Sequence, residues 1–551
     1  MAATAAIFHH PDVIESADKP LAGRRTAGQS FLGGYVRHVE ADKLHCFGAN
    51  EATLQQFREL VAGHGWTGAV EGYLQTQPGR FTDPGVIQVP GPSLADFAWT
   101  RRRAGQRHYS ICGITHTVST RRIMEGLFNG LSAPVEAWDA IICTSKAVHD
   151  VVANELDEAE RYLAQRFQAR RVPRPQLPII PLGIDTAQFA PGDGDRARWR
   201  AEFSIPEDAI AVMTMGRLTY AEKLHPVPLL IALQKAARAT GKPFVLLMVG
   251  WFGDEGTEKL HREMAAEFAP DVAVHFPDGK DEDLRYAIWA AADIFALPVD
   301  NIQETFGLAP VEAMAAGLPV VCSDWNGFKD TVEDGVTGIR VKTIMAPPGS
   351  GQAQANRFED SQDNYLQYLV SVHQRTVVDV AEMAEAFSTL ATGPDKRAAM
   401  GAAGRERARR LYDWSAIIPR YQALWGELNA IRAREVPSSP RPQDAPANPA
   451  AMDPFTLYRG YPTTSLTPAS LIRADVAIDK DRVEQVMALT GAIAFKRMVT
   501  RSADVAKIQN AIFEHGPIRL ADLEKGVKAP DHVLVSTVLW LAKFDMVQVQ
   551  T

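Results

Sequence analysis

The chain has 551 residues, more than one hydrophobic core organises, so two or three domains are expected. Hydrophobic residues make up 46% and charged residues 23%, the composition of a soluble globular protein. A formal net charge of −8 argues against a general nucleic-acid binder.

The N-terminus carries no basic segment followed by an apolar run, so no signal peptide is expected. The first strand is indistinct within "MAATAAIFHHPDVIE". Next, "QSFLGGYVRH" suits a helix over residues 29–38, with Gly33 and Gly34 inside it at a cost of about 1 kcal/mol each. Short β-rich runs then alternate with helix-length segments. They are "KLHCFG" at Lys43, "HYSICGIT" at His108, "DAIICTS" at Asp139 and "PIIPLGID" at Pro178. Further on come "AIAVMTMGR" at Ala209, "FVLLMVG" at Phe244, "VAVHFP" at Val272, "DIFALPV" at Asp293 and "PVVCSD" at Pro319. Nearly continuous apolar strands, each followed by a helix, predict parallel sheets covered on both faces. One sheet would be unusually wide, so two are expected, divided near residue 195 where "APGDGDRARW" interrupts the pattern.

Between those strands, Ser145 is placed to cap a helix. The basic stretch "RYLAQRFQARRVPRP" at Arg161 reads as a solvated helix face, with peripheral contact to anionic lipid or a phosphorylated acceptor as the alternative. Residues 343–364 read as a flexible insertion in the second domain, and the proline-dense residues 436–454 as a semi-extended linker. The expected domains are 1–195, 196–435 with its last helix free to cross back, a linker over 436–455, and an accessory domain over 456–551. The four cysteines, at 46, 112, 143 and 322, form neither a CxxC pair nor a zinc spacing and read as small buried residues in a reducing compartment. No stretch approaches about eighteen uncharged apolar residues, so no spanning helix is expected and the default location is cytoplasmic.

The chemistry concentrates in "ETFGLAPVEAMAAGLPVV", which begins at Glu304. Pro310 suits the first turn of a helix and Gly317 its stop, which predicts a helix over 309–316. Its N-terminal amides would face the loop carrying Glu304 and attract phosphate, while Glu312 sits one turn in. Two carboxylates beside a phosphate-ready helix end suit sugar hydroxyls, a diphosphate and a ribose diol. "MGRLTYAEKLHP" adds Arg217 and Lys223, two cations six residues apart after an apolar strand.

These residues resemble the family 4 retaining glycosyltransferases, which have the GT-B fold of two Rossmann-like domains facing a cleft. "ETFGLAPVEAMAAGLPVVCSDWNG" is similar to that family's E-x7-E signature, and "VHFPDGKDEDLRYAIWAAADIFALP" to the strand, helix and strand before it. "MGRLTYAEKLHP" resembles its GR…K element, and "IIPLGIDTAQF" its strand end ahead of the second domain. The resemblance implies that Glu304 contacts the transferred sugar and Glu312 the ribose, and that Arg217 and Lys223 clamp the diphosphate. It also implies donor contacts from Thr305, Phe306, Gly307 and Leu308. "CGITHTVSTRR" resembles its T-x-H-T strand end, which implies that His116 faces the reacting sugar. "AGQ" resembles the GGQ turn of sucrose-synthesising relatives, so Gly28 and Gln29 are expected to approach the donor phosphate, with Ala27 in place of the first glycine.

The implied activity is transfer of a hexosyl group with retention from a nucleotide-sugar, UDP- or GDP-linked, to a glycan, lipid-linked, protein or small-molecule acceptor. No DxD motif appears where a metal-dependent GT-A enzyme would need one, so neither a metal nor another cofactor is expected. The alternatives are a GT-B phosphorylase using the same cations and a non-catalytic sugar-nucleotide sensor whose tail regulates transcription. "ADVAKIQNAIFEHGPIRLADLEKGVKAPDHVLVSTVLWLAKFDMVQVQ" reads helix, turn, helix, longer helix, strand, and resembles a winged-helix module. Its near-balanced charge, about eleven Lys and Arg against ten Asp and Glu from Leu471 onward, favours protein interaction or self-association over nucleic acid.

Overall fold

The computed structural model describes residues 2–10, 23–490, 501–527 and 530–551. Residues 11–15 of the opening stretch, and 491–500 and 528–529 of the tail, lie outside those described. The chain divides into two compact units, residues 1–448 and 449–551.

The first unit contains two six-stranded parallel sheets. In the first, β1 Ala6–His9, β2 Lys43–Gly48, β3 Ala69–Leu74, β4 Val86–Gln88, β5 Ser110–Ile114 and β6 Ala140–Ile142 lie in the order β3-β2-β1-β4-β5-β6. In the second, β7 Ile210–Arg217, β8 Phe244–Trp251, β9 Val272–His275, β10 Ile294–Leu297, β11 Val320–Ser323 and β12 Gly338–Val341 lie in the order β12-β11-β10-β7-β8-β9. The two orders are the same doubly wound pattern, although no sequence repeat announces it. In each sheet the order reverses once, between β1 and β4 and between β7 and β10, and open α/β sheets bind ligands at the carboxyl ends of the strands there. Helices cover both faces, which is why "FVLLMVG" in β8 is buried throughout and shows no polar alternation.

The chain returns to the first sheet after completing the second. Trp414, Ile417, Tyr421, Trp425 and Leu428 of helix Trp414–Arg434 pack with Leu32, Tyr35 and Leu44 of the first sheet's core. Trp414 also donates from Nε1 to Ser30 Oγ at 2.9 Å. This contact explains a glycine inside a helix: a Cβ on Gly34 would lie 2.2 Å from the Trp414 ring.

Four expectations need correction. The helix placed over 29–38 starts six residues earlier, as Gly23–His38, and strand β1, indistinct in sequence, sits in the middle of its sheet. "PIIPLGID" forms no strand, only isolated parallel bridges from Ile179 to Cys143 just past β6 and from Ile184 to Asp413, because Pro178 and Pro181 have no amide to give a ladder. Residues 343–364 are ordered: β13 Thr343–Met345 pairs antiparallel with β14 Thr376–Val378, and between them lie helices Gln352–Glu359 and Tyr365–His373. Arg357 grips Asp363 through two hydrogen bonds of 2.9 and 2.5 Å, and Asn364 and Gln367 form a capping box. The proline-dense stretch has no regular element over 436–448, but it is tied down, with the Ser438 amide donating to Glu136 and Arg102 donating to the Ala447 carbonyl.

The second unit has its own core, including Ile472, Val483, Val505, Ile512, Leu534 and Leu541. Three short antiparallel strands, β15 Leu471–Arg473, β16 Ile518–Arg519 and β17 Gln548–Gln550, form a sheet in the order β16-β15-β17. Helices Lys480–Leu489, Ser502–His515, Leu520–Gly526 and Asp531–Lys543 pack with it. The first of them and β15 precede the segment in which the pattern was read. Among the described residues no helix is long and apolar enough to cross a membrane. All four cysteines are buried and free.

Candidate active site

The loop after β10 and the helix that follows build one wall of the site. Helix Leu308–Ala316 starts behind Gly307, whose φ of +87° is left-handed and whose absent Cβ would lie 2.1 Å from Phe328. Only glycine lets the chain turn there, and the turn aims the first-turn amides at the cavity that Glu304 lines. Glu304 Oε2 accepts from Lys223 Nζ at 2.6 Å. Burial opposes ionisation of Glu304, but the Lys223 ammonium and the amides of Thr305 and Phe306 outweigh it and hold the carboxyl below its ordinary value. Glu312 lies one turn further on, and burial pushes its carboxyl up against the pull of Arg285 and Lys223. Arg217, the last residue of β7, turns to Glu222 and donates to its Oε2 at 2.8 Å. Both cations of the expected clamp are therefore held by carboxylates within the protein.

The other wall comes from the first sheet. His116 follows β5, and its carbonyl accepts from Thr305 Oγ1 at 2.9 Å. Ser145 caps helix Lys146–Phe167, as placed from sequence, and also donates to the Thr305 carbonyl at 2.9 Å. Thr305 thus acts as a strut between the Glu304 loop and the His116 loop.

The cavity between these walls has a volume of about 380 Å³. His116, Arg217, Lys223, Glu304, Thr305, Phe306, Gly307, Leu308 and Glu312 all line it, so nine of the expected site residues come together. Gly28 and Gln29 do not line it. Gly28 lies within the helix, and no pre-helix turn presents it to a phosphate; it lines a smaller apolar cavity beside His116. Gln29 lines a neighbouring cavity that shares Arg285, Leu308 and Glu312 with the first.

Residues missed in sequence include Arg285, Gly216, Gly250 and Gly279. The glycines carried a signal, since each falls at or just past the end of an apolar strand, in "MGR", "MVG" and "PDGK". A Cβ on Gly250 would lie 1.9 Å from the Gly216 carbonyl oxygen, so the strands end in a close stack that leaves the cavity floor open. The one group of His and carboxylate side chains near enough to share a metal among the described residues is His45, Glu71 and Asp83. None of these lines the cavity, and Lys43 already pairs with both carboxylates at 2.8 and 3.1 Å.

Residues 195–360 match the family model described as glycosyl transferases group 1. Over 194 residues the chain is 31% identical to a D-inositol 3-phosphate glycosyltransferase of Nocardia farcinica, covering 35% of this chain and 41% of that relative. A protein of the same description from Corynebacterium efficiens is 27% identical over 322 residues, covering 57% of this chain and 65% of that one. The chain therefore spans less than two thirds of these relatives. Among solved structures it is similar to Anabaena HepE in complex with UDP, at 15% identity and a TM-score of 0.50, over 77% of this chain and all of that one. Its fold is GT-B: two Rossmann-like domains facing a cleft, with an additional, mainly helical C-terminal region.

Proposed function

We propose that the chain is a retaining glycosyltransferase that moves a sugar from a nucleotide-sugar, UDP- or GDP-linked, to an acceptor alcohol without a metal. The observation that carries this reading is one cavity at the β7/β10 switch point that gathers Arg217, Lys223, Glu304, Glu312 and a helix N-terminus, with His116 entering from the other sheet. Glu312 takes the ribose diol, and Glu304 the far hydroxyls of the sugar. The donor diphosphate draws Arg217 from Glu222 and Lys223 from Glu304, joined by the amides of Gly307 and Leu308. Gln29 reaches the donor through the cavity it shares with Glu312.

In the reaction the bond between the anomeric carbon and the phosphate oxygen breaks, and its electron pair leaves with the nucleoside diphosphate. The acceptor oxygen bonds to the same carbon on the same face, and its proton passes to the leaving phosphate oxygen. Arg217 and Lys223 neutralise charge on that leaving group, and His116 stabilises the edge of the sugar as positive charge develops. Residues 1–195 carry the acceptor side and 196–435 the donor side, except that the last helix, Trp414–Arg434, crosses back to the acceptor side. Residues 456–551 form a winged-helix-like module for protein interaction or self-association, a reading supported by its helix–strand order and near-balanced charge.

The test is a thermal-shift screen against UDP-, GDP-, ADP- and dTDP-sugars, followed by donor hydrolysis on the hits with and without EDTA. Stabilisation by a nucleotide-sugar and EDTA-resistant hydrolysis are expected. Absence of any binding donor overturns the transferase reading, and loss of activity in EDTA restored by manganese overturns its metal-independent form.

A further inference from the structure

The smaller cavity beside His116 lies at the switch point of the first sheet. Its walls include His9 at the end of β1, Val89 just past β4 and Ile114 at the end of β5, the carboxyl ends at which an open sheet binds its ligand. The remaining walls are mostly apolar, with Phe8, Phe31, Trp414 and Tyr421 among them, around a volume of about 70 Å³. His116 and Leu182 line both this cavity and the donor cavity, so the two meet at the residue assigned to the reacting sugar. Among the described residues a polar group is buried in this lining without a hydrogen-bond partner: His9 is 3% exposed, and its Nε2 finds none there.

We propose that this cavity is the acceptor subsite and that it takes an alcohol bearing a compact apolar group, with His9 Nε2 as a hydrogen-bond partner. The proposal rests on the glycosyltransferase reading above and narrows its acceptor. An acceptor oxygen must reach the anomeric carbon from beside His116, and the space there is walled by aromatic and aliphatic side chains. A polyol phosphate placed among them would lose its hydration without matching partners, whereas an alkyl or aryl group gains by leaving water. Burial, with the neighbouring His10 charge, keeps the His9 pKa below its ordinary value, so the neutral ring can donate to or accept from a hydroxyl. The acceptor class thereby differs from the one in the names of the relatives similar to this chain.

The test uses the full chain with UDP-glucose and GDP-mannose as donors, following nucleoside diphosphate release with benzyl alcohol, isoamyl alcohol or D-myo-inositol 3-phosphate present. The apolar alcohols are expected to give a kcat/KM at least about tenfold above the inositol phosphate, the scale on which an apolar pocket discriminates. His9→Ala is expected to raise the KM for benzyl alcohol several-fold more than it lowers kcat, and His9→Gln to recover part of the loss. Preference for inositol phosphate, or donor hydrolysis that neither apolar alcohol accelerates, overturns the subsite. Failure of every nucleotide-sugar in the thermal-shift screen to bind overturns the underlying reading instead, and the acceptor assignment with it.

Discussion

At the scale of residues, the site is an arrangement of charges that already satisfy one another. Lys223 holds Glu304 and Arg217 holds Glu222, so an entering diphosphate must draw two cations from internal partners. Among the described residues Glu312 enters no such pair, which suits a group that awaits a diol. Glu312→Ala is therefore expected to weaken nucleotide-sugar binding by about 1–3 kcal/mol, the loss for charge-assisted bonds to a buried partner. Lys223→Ala is expected to lower turnover by orders of magnitude at saturating donor, because the proposed reaction has Lys223 stabilise the leaving group. Calorimetry and saturation kinetics separate the two effects; unchanged affinity in the first variant removes the ribose assignment. Nearby, Asp300 is 5% exposed and burial pushes its carboxyl up to about 7, against hydrogen bonds from backbone amides including His225. His373 Nδ1 lies 3.8 Å away, kept from protonating easily by its own burial. The folded chain thus holds the Asp300 proton to higher pH than the unfolded chain, whose value is about 3.9, so stability falls as pH rises from about 4 to about 7. In Asp300→Asn this contribution disappears, and its urea midpoint should change less between pH 4.5 and pH 8 than the wild-type midpoint. An equal change in both proteins would refute the assignment.

At the scale of elements, the insertion over 343–378 reaches across to the loop that follows His116. Tyr365 Oη lies 2.8 Å from Ser119 Oγ, and Arg121 donates to the Glu359 carbonyl at 2.8 Å. The insertion is braced internally by the Arg357–Asp363 pair and by Phe358 stacked on Tyr368 at 4.3 Å, so it can hold that loop in place. Tyr365→Phe is expected to lower kcat several-fold while donor affinity changes little, as steady-state kinetics beside calorimetry would show; a kcat equal to wild type would mean that the contact positions nothing. None of this was legible in residues 343–364, where glycine, proline and polar residues mask a helix and a strand whose pairing partner, β14, lies further on at Thr376–Val378. Strands β7 to β11 of the second sheet were legible because each holds a run of apolar residues, whereas β12, four residues with Arg340 among them, was not. β1 was not, being four residues long beside a histidine pair. Gly28 was misplaced for a related reason. "AGQ" suggested a turn, but the helix takes it in, and packing against Trp414 decides where the helix glycines fall.

At the scale of the whole molecule, the two sheets share one topology and each places a cavity at its switch point, and the two cavities meet at His116 and Leu182. Nine of the expected site residues could be read from sequence because strand ends and the Glu304–Glu312 spacing are local features. The apolar cavity could not, since it is assembled from β1, β4, β5 and helix Trp414–Arg434, distant along the chain. Residues 449–551 have their own core, and a chain ending at Asn448 is expected to keep the donor affinity of the full protein; loss of binding with a folded spectrum would tie the C-terminal unit to the site. The central claim is most directly tested by NMR of the sugar product formed from an α-linked nucleotide-sugar and an acceptor alcohol. No carboxylate is assigned beneath the anomeric carbon, and the leaving phosphate, held by Arg217 and Lys223, guides attack from its own face. The product is therefore predicted to keep the α configuration; a β-linked product would contradict it.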